Sequence, residues 1–184
     1  LIQRANEPFK GSWALPGGYS PQGETTLEAL ERIVQRKAGI AIQNDLSYIE
    51  QLYTFDTTAR DPRGHAVSVT YMGCGREVFP NNAQSIVSFF PVDALPPIAY
   101  DHTEIIDYAR KRLVAKLTYT NAVYAFLPQY FSLTDLQSAY EAVFGYELDK
   151  RNFRKKFASL GLTEETDQMR REGAHRPARL HKFT

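Results

Sequence analysis

The chain has 184 residues, 43% of them hydrophobic and 12% aromatic, with one cysteine and a formal charge of +1. This composition supplies a real core and excludes a disordered chain, and a single cysteine excludes a disulfide framework. No apolar run approaches the ~18 residues of a membrane-spanning helix, so a cytoplasmic location is expected. The small net charge hides a segregation: from Lys150 onward ten Lys and Arg face four Asp and Glu, a net +6, whereas the first 149 residues carry −5. A mildly acidic body with a basic end suggests an appended element that binds a polyanion.

The chain opens at Leu1-Ile2-Gln3-Arg4, which reads as the end of a strand; whether a further strand precedes it is open. The run Trp13-Ala14-Leu15-Pro16-Gly17-Gly18 forms a turn. A helix follows, with Thr25 and Glu28 at capping-box spacing. Leu27, Leu30, Val34 and Ala38 recur at helical spacing and are expected to form its apolar stripe. Gly39 stops it. Residues 18–40 resemble the Nudix box, whose pattern is a Gly, five residues, a Glu, seven residues, then Arg-Glu-apolar-any-Glu-Glu-any-Gly-apolar. Gly18, Glu24, Arg32, Val34, Gly39 and Ile40 fit this pattern. The three helix glutamates do not; Ile33, Arg36 and Lys37 occupy their places.

That departure is chemically specific. Positions i, i+3 and i+4 share a helix face, and in Nudix hydrolases the glutamates there hold magnesium, an ion that demands hard oxygen ligands. An apolar group and two cations should repel it, leaving Glu24 as a lone carboxylate. The sequence therefore implies no catalytic residue, no metal ligand set and no cofactor. The swap to positive charge suggests an anion held without metal; drift at an unused site is the competing explanation.

Downstream, residues 51–55 and 66–71 are β-rich, joined by the polar connection of residues 56–64. Residues 87–92 read as a further short strand, ended by Asp93-Ala94-Leu95-Pro96-Pro97. A helix opens at Asp101-His102-Thr103-Glu104, with Ile106, Ala109, Leu113 and Leu117 as its expected inner face. Residues 119–127 read as a short helix stopped at Pro128. Ser132 and Asp135 mark the start of another, ending at Gly145, and Asp149 caps a third, ending at Gly161. Residues 162–164 and 180–183 read as two strands around a basic hairpin. Three helices and a hairpin is the order of a winged helix-turn-helix.

In the third of these helices Phe153, Phe157 and Leu160 share one face and should pack inward. Arg151, Arg154 and Lys155 lie opposite, with Asn152 at the edge and Lys150 and Lys156 flanking. Arg and Asn suit base edges in a major groove, and lysines suit phosphates. Arg170, Arg171, His175, Arg176 and Arg179 in the hairpin would serve as a wing along the backbone or minor groove. A merely solvated basic helix is the alternative. Cys74 is expected to be structural, His102 a local cap or packing residue, and His65 a solvated loop histidine.

The whole chain resembles the NrtR family, Nudix-related regulators of NAD metabolism. Beyond the degenerate box, the resemblance rests on Arg60-Asp61-Pro62-Arg63-Gly64, Lys116-Leu117-Thr118-Tyr119-Thr120-Asn121, Leu148-Asp149-Lys150-Arg151-Asn152-Phe153-Arg154 and Gly173-Ala174-His175-Arg176-Pro177-Ala178. It implies an α/β (α+β) chain: a Nudix-like mixed-sheet sandwich over residues 1–117, including a linker helix at 103–117, then a winged helix over 118–184. It implies a homodimeric repressor that binds a palindromic operator in double-stranded DNA and responds to an ADP-ribose-like effector. The DNA-binding set is then Lys150, Arg151, Asn152, Arg154, Lys155, Lys156, His175, Arg176 and Arg179. The effector set is Trp13, Gly17, Gly18, Arg36, Lys37, Arg60, Arg63 and Ser68, with Arg36 and Lys37 as counter-charges in place of metal. Two rivals stand beside this reading: a residual hydrolase of ADP-ribose or a nucleoside diphosphate, and a nucleotide-binding module with an RNA-binding tail.

Overall fold

The computed structural model describes residues 1–120, 122–171 and 177–184. The chain divides into two compact units, Leu1–Ala109 and Arg110–Thr184.

The first unit is an α/β body built from small sheets. β1 (Ile2–Gln3) pairs antiparallel with β2 (Trp13–Ala14). Ile2 also bridges Val87 antiparallel, and Trp13 bridges Ile98 in parallel, so the pairing is mixed. The expected strand at 87–92 reduces to residues 86–88, tied to β1 by that bridge and by hydrogen bonds from the Gln3 amide to the Ile86 carbonyl and from the Ser88 amide to the Leu1 carbonyl. Ile86 and Phe89 around it are 64% and 65% exposed, so no apolar face holds a longer ladder there. β3 (Tyr48–Phe55) and β4 (Ser68–Cys74) form a long antiparallel hairpin with a bulge at Gln51/Tyr53. Leu52 and Phe55 of one strand and Met72 and Cys74 of the other are buried. Met72 and Cys74 show the period-2 burial of a half-buried strand, whereas Leu52 and Phe55 are three apart because the bulge shifts the phase of β3. A single helical turn, α2 (Ile42–Asp45), precedes β3.

α1 (Thr26–Ala38) is capped as its sequence dictates. The Thr25 hydroxyl accepts from the Glu28 amide, the Glu28 carboxylate accepts from the Thr25 amide, and Gly39 closes the helix at φ 67°. A side chain at Gly39 would also strike the Asn81 backbone, its Cβ lying 2.4 Å from the Asn81 carbonyl oxygen. The buried face differs from the expected stripe: Ala29, Ile33 and Ala38 are buried, while Leu27 is 46% exposed. The tertiary partner decides this. Ile33 packs on Gly18, where a Cβ would lie 2.9 Å from the Ile33 Cδ1 atom, and that contact turns the helix by about one position relative to its hydropathy pattern.

α3 (His102–Tyr119) begins in the first unit and ends in the second. Its inward side in the first unit centres on Ile105 rather than the expected Ile106. Tyr108 supports it, packing on Tyr53 and Phe55 with ring centroids 5.0 and 5.8 Å away.

The second unit continues with a 3-10 turn (Ala122–Phe126) where an α-helix was expected. The turn is buried through Ala122, Val123 and Ala125. Five residues cut off by Pro128 are too few to propagate an α-helix, so a tighter turn is the shape left to them. α4 (Leu133–Phe144) carries a full capping box, Ser132 with Asp135, and ends at Gly145. α5 (Lys150–Leu160) is capped by Asp149, whose carboxylate accepts from the Asn152 amide at 2.7 Å. β5 (Thr163–Arg170) and β6 (Ala178–Phe183) pair antiparallel, and Phe131 adds a third, one-residue rung by exchanging backbone hydrogen bonds with His181. One core joins all of this: Leu117, Val123, Phe131, Leu136, Tyr140 and Phe157. Phe153 and Phe157 stack at 5.7 Å and meet Tyr140 edge-on. Leu160, expected to pack inward, is 52% exposed, because the final turn of α5 runs past that core.

Candidate functional sites: a cationic Nudix-box helix and a basic recognition helix

Each unit holds one cluster of candidate residues. In the first, α1 presents the box. Ile33 is plugged against Gly18 and is no longer a surface position. Glu24 is engaged by Arg32, whose Nε donates to one carboxylate oxygen at 2.6 Å and whose Nη2 donates to the other at 2.7 Å. The same Nη2 reaches the Tyr19 carbonyl at 2.9 Å. The Arg32 hydrogen bond holds the Glu24 carboxyl below its usual value. Glu28 is used by the cap, and Glu31 accepts from Gln43 at 3.3 Å. The residues therefore do not suit magnesium. The one remaining box carboxylate is already neutralised, and no cluster of three metal-ligating side chains occurs among the described residues.

The box suits an anion better. The Lys37 ammonium donates to the Gly17 carbonyl, so the Gly17-Gly18 turn is fastened to α1. Burial holds the Lys37 pKa below its ordinary value, and the neighbouring charges of Arg4, Arg32 and Arg36 push the same way. Like charges gathered around a half-buried ammonium favour an anionic ligand. Arg36 is exposed. Arg4 was not among the expected residues. It comes from β1's end, and only the fold brings it beside the box, so no local motif could reveal it.

The remaining expected effector residues are dispersed. Arg60 is locked to Asp101 in a bidentate pair at 2.7 and 2.8 Å, each side chain only 10% exposed. Arg63 grips Asp61 at 2.6 and 2.9 Å, and that hydrogen bonding holds the Asp61 carboxyl down at about 2. Arg60 is shut in with its partner, whereas Arg63, its side chain 49% exposed, keeps guanidinium N–H groups that Asp61 does not use. Trp13 sits in β2 against Phe90, ring centroids 5.0 Å apart, half-buried. Ser68 opens β4 with its hydroxyl 3.3 Å from that of Thr70. His102 is a packing residue: its Nδ1 accepts from the Leu15 amide at 3.0 Å, and burial lowers its pKa to about 4. His65 is exposed and Cys74 buried.

In the second unit, α5 leaves its cations outside. Lys150, Arg151, Asn152, Lys155 and Lys156 are all exposed. Arg154 is half-buried and leans back on α4, its Nη2 donating to the Thr134 hydroxyl at 3.4 Å. The turn before α5 is held by α4: the Gln137 amide donates to the Leu148 carbonyl at 2.9 Å, and the Leu148 amide donates to the Glu141 carboxylate at 2.8 Å. Sequence pattern missed this clamp, since Gln137 and Glu141 look like ordinary solvent-facing helix residues. Among the described residues three of the hairpin's cations are paired: Lys182 with Glu164 at 2.7 Å and the two that follow, while Arg171 is exposed. Arg170 grips Asp135 at the start of α4, and Arg179 reaches Glu165 at 2.7 Å. His175 and Arg176 lie outside the described residues.

The fold and these two clusters define a Nudix-type domain followed by a winged helix. The model of the NUDIX domain matches residues 1–109, and that of the NrtR DNA-binding winged helix domain matches residues 123–183. The chain is 35% identical to the ADPR responsive transcriptional repressor NtrR of Acinetobacter baylyi, over all of this chain and 74% of that protein. It is also 37% identical to an ADP-ribose pyrophosphatase of Methanocaldococcus jannaschii, over 60% of this chain and 64% of that enzyme. The crystal structure of Shewanella oneidensis NrtR with a 27mer DNA superposes with a TM-score of 0.76 at 28% identity, covering all of this chain and 84% of that one. This chain belongs to the NrtR family.

Proposed function

We propose that this protein is a DNA-binding transcriptional repressor whose Nudix-like unit binds ADP-ribose or a related NAD-derived nucleotide without hydrolysing it. The effector unit spans residues 1–117 and the DNA-binding unit residues 118–184, the linker helix between them giving its last turns, Leu117 included, to the core of the second. The observation that carries the reading is the pairing of an outward cationic α5 with a box helix whose carboxylate is spent on Arg32. Two copies bind a palindromic operator of NAD biosynthesis or salvage genes in the cytoplasm. In each, α5 enters a major groove, with Arg151 and Asn152 at base edges. Lys150, Lys155, Lys156 and the wing cations at Arg179, His175 and Arg176 supply salt-dependent phosphate contacts, while Arg154 braces the helix. The effector's pyrophosphate lies by Gly17 and Gly18 with Arg36 and Lys37 as counter-charges. Trp13 and Ser68 stand at its margin, Arg63 meets it with the donors that Asp61 does not use, and Arg60 joins only by leaving Asp101. To act, the effector must prefer one of two states that differ in DNA affinity.

Mobility-shift titration on a duplex recovered by in vitro selection tests this, with and without ADP-ribose. Tight binding that ADP-ribose alters, unchanged by a chelator, is the expected result; an ADP-ribose effect that vanishes with chelator refutes the metal-free site. Similarity to an ADP-ribose pyrophosphatase keeps one rival alive, a residual hydrolase. Magnesium-dependent turnover lost in Glu24→Gln would establish it.

A further inference from the structure

The turn that joins α4 to α5 is held at both ends by one residue of α4. The Glu141 carbonyl accepts from the Gly145 amide at 2.8 Å, which closes the helix. The Glu141 carboxylate accepts from the Leu148 amide at 2.8 Å, at the far end of the turn. Gln137, one helical turn earlier, completes a ring: its Nε2 donates to the Glu141 Oε1 atom at 2.8 Å and to the Leu148 carbonyl at 2.9 Å. The two side chains meet because residues four apart share a helix face. Leu148 thus has both of its backbone groups satisfied by side chains of α4, as a strand neighbour would satisfy them. Its own side chain packs on the core, and it directly precedes Asp149, the residue that caps α5.

The ring bears on where α5 starts, not on what α5 touches. Asn152 lies four residues beyond Leu148, roughly 6 Å along a helix that rises about 1.5 Å per residue. A tilt of about 10° at Leu148 therefore moves Asn152 by roughly 1 Å and the end of α5 by roughly 3 Å. Paired hydrogen bonds to a base edge tolerate a displacement of only about 0.5 Å. A lysine on its flexible stem follows a phosphate over a much wider range. We infer that Gln137 and Glu141 are positioning residues for sequence readout: they set the angle of α5, govern which bases it reads, and leave the strength of its phosphate contacts alone. This rests on the reading of α5 as the groove-reading helix. The Glu141 carboxylate enters the ring through a single oxygen, Oε1. An amide oxygen is the same acceptor, so the ring depends on shape and not on charge.

Binding of the full chain to the selected duplex and to a scrambled one, each over a range of salt, tests this. Glu141→Ala should lower the ratio of the two affinities by about tenfold, the worth of one well-placed base contact. Binding to the scrambled duplex and its salt dependence should stay as in the wild type. Gln137→Ala spares the Glu141–Leu148 bond and should lower the ratio by less, about threefold. Glu141→Gln should keep the wild-type ratio. Circular dichroism with a melting curve shows whether each variant is folded; if Glu141→Ala is not, Gln137→Ala decides. Equal losses on both duplexes, or an unchanged ratio, overturn the inference. So does Glu141→Gln behaving like Glu141→Ala, which would make this residue a charge that DNA feels. Arg151→Ala, run alongside, separates the two readings. If it lowers the ratio and Glu141→Ala does not, only the inference falls; if neither does, the groove-reading assignment of α5 falls with it.

Discussion

α1 and α5 are near twins in local construction and opposites in use. Each starts from a side-chain cap, Thr25 or Asp149, and each ends on a left-handed glycine, Gly39 or Gly161. Each carries several Arg and Lys. In α1 two of the three cations turn to the protein's own oxygens, Arg32 to Glu24 and Tyr19 and Lys37 to Gly17, while Arg36 stays exposed. In α5 the exposed cations have a buried aromatic face behind them and no acidic residue within the helix itself. Composition alone does not separate these two cases. What separates them is whether the fold brings an oxygen to each cation, and that is decided far away in the sequence. A helix whose cations are left exposed is free to meet a polyanion; one whose cations are mostly fastened shapes a pocket for a small anion.

The comparison breaks most visibly at the face behind α5. Phe157 is 4% exposed, stacks on Phe153 and meets Tyr140 edge-on. Phe157→Ala should cost about 3–5 kcal/mol, the range for emptying a buried aromatic site. Urea unfolding followed by far-ultraviolet circular dichroism reads this directly; a loss under about 1 kcal/mol would mean that α5 is not held by its aromatic face.

The next effect belongs to the first unit. His102 is neutral in the fold, its pKa lowered by burial from 6.5 to about 4. A proton on Nδ1 would also meet the Leu15 amide head-on. The unfolded chain takes up that proton near pH 6.5 and the native one does not until about pH 4. Stability is therefore full above the unfolded value and falls as pH drops through this window, by roughly 3 kcal/mol in all. The fluorescence of Trp13, the single tryptophan, reports this unfolding, and His102→Gln should flatten the slope.

These cases also show how far the sequence could be read. Capping residues are local, so the bounds of α1, α4 and α5 were legible within a residue or two. The degenerate box and the α5 pattern offered Arg36, Lys37, Arg151 and Asn152 as candidates from spacing and resemblance, and the fold leaves Arg36, Arg151 and Asn152 exposed. Burial was less legible. Ile33 lies inside because Gly18 leaves room for it, and Leu160 lies outside because the core stops short; neither partner is a sequence neighbour. Arg60 looked available until Asp101, 41 residues away, claimed it. The Glu141–Leu148 clamp and Arg4 depend on the same kind of distant meeting.

On α5 itself, Arg151→Ala should weaken binding to the selected duplex by about tenfold to a hundredfold and relax the preference at one base pair. The same change at Arg154 should act more evenly across sequences, because that side chain braces against Thr134 and is half-buried. Equal and sequence-independent losses at both positions would assign α5 to the phosphate backbone and its readout elsewhere.

The smallest expected effect sits on α1. Arg32→Ala releases Glu24 from its bidentate partner, so the one surviving box carboxylate becomes available. If the proposed lack of hydrolysis were only a matter of that carboxylate being occupied, magnesium should now bind and ADP-ribose should turn over. We expect neither. Ile33 still fills the space against Gly18, and Arg36 and Lys37 still project positive charge where a divalent ion would need oxygen. Calorimetric titration of the variant with magnesium should give no more heat than the wild type, whereas ADP-ribose binding should persist without metal. Magnesium uptake by Arg32→Ala would mean that the two helices differ by one removable salt bridge and not by the chemistry of a whole face.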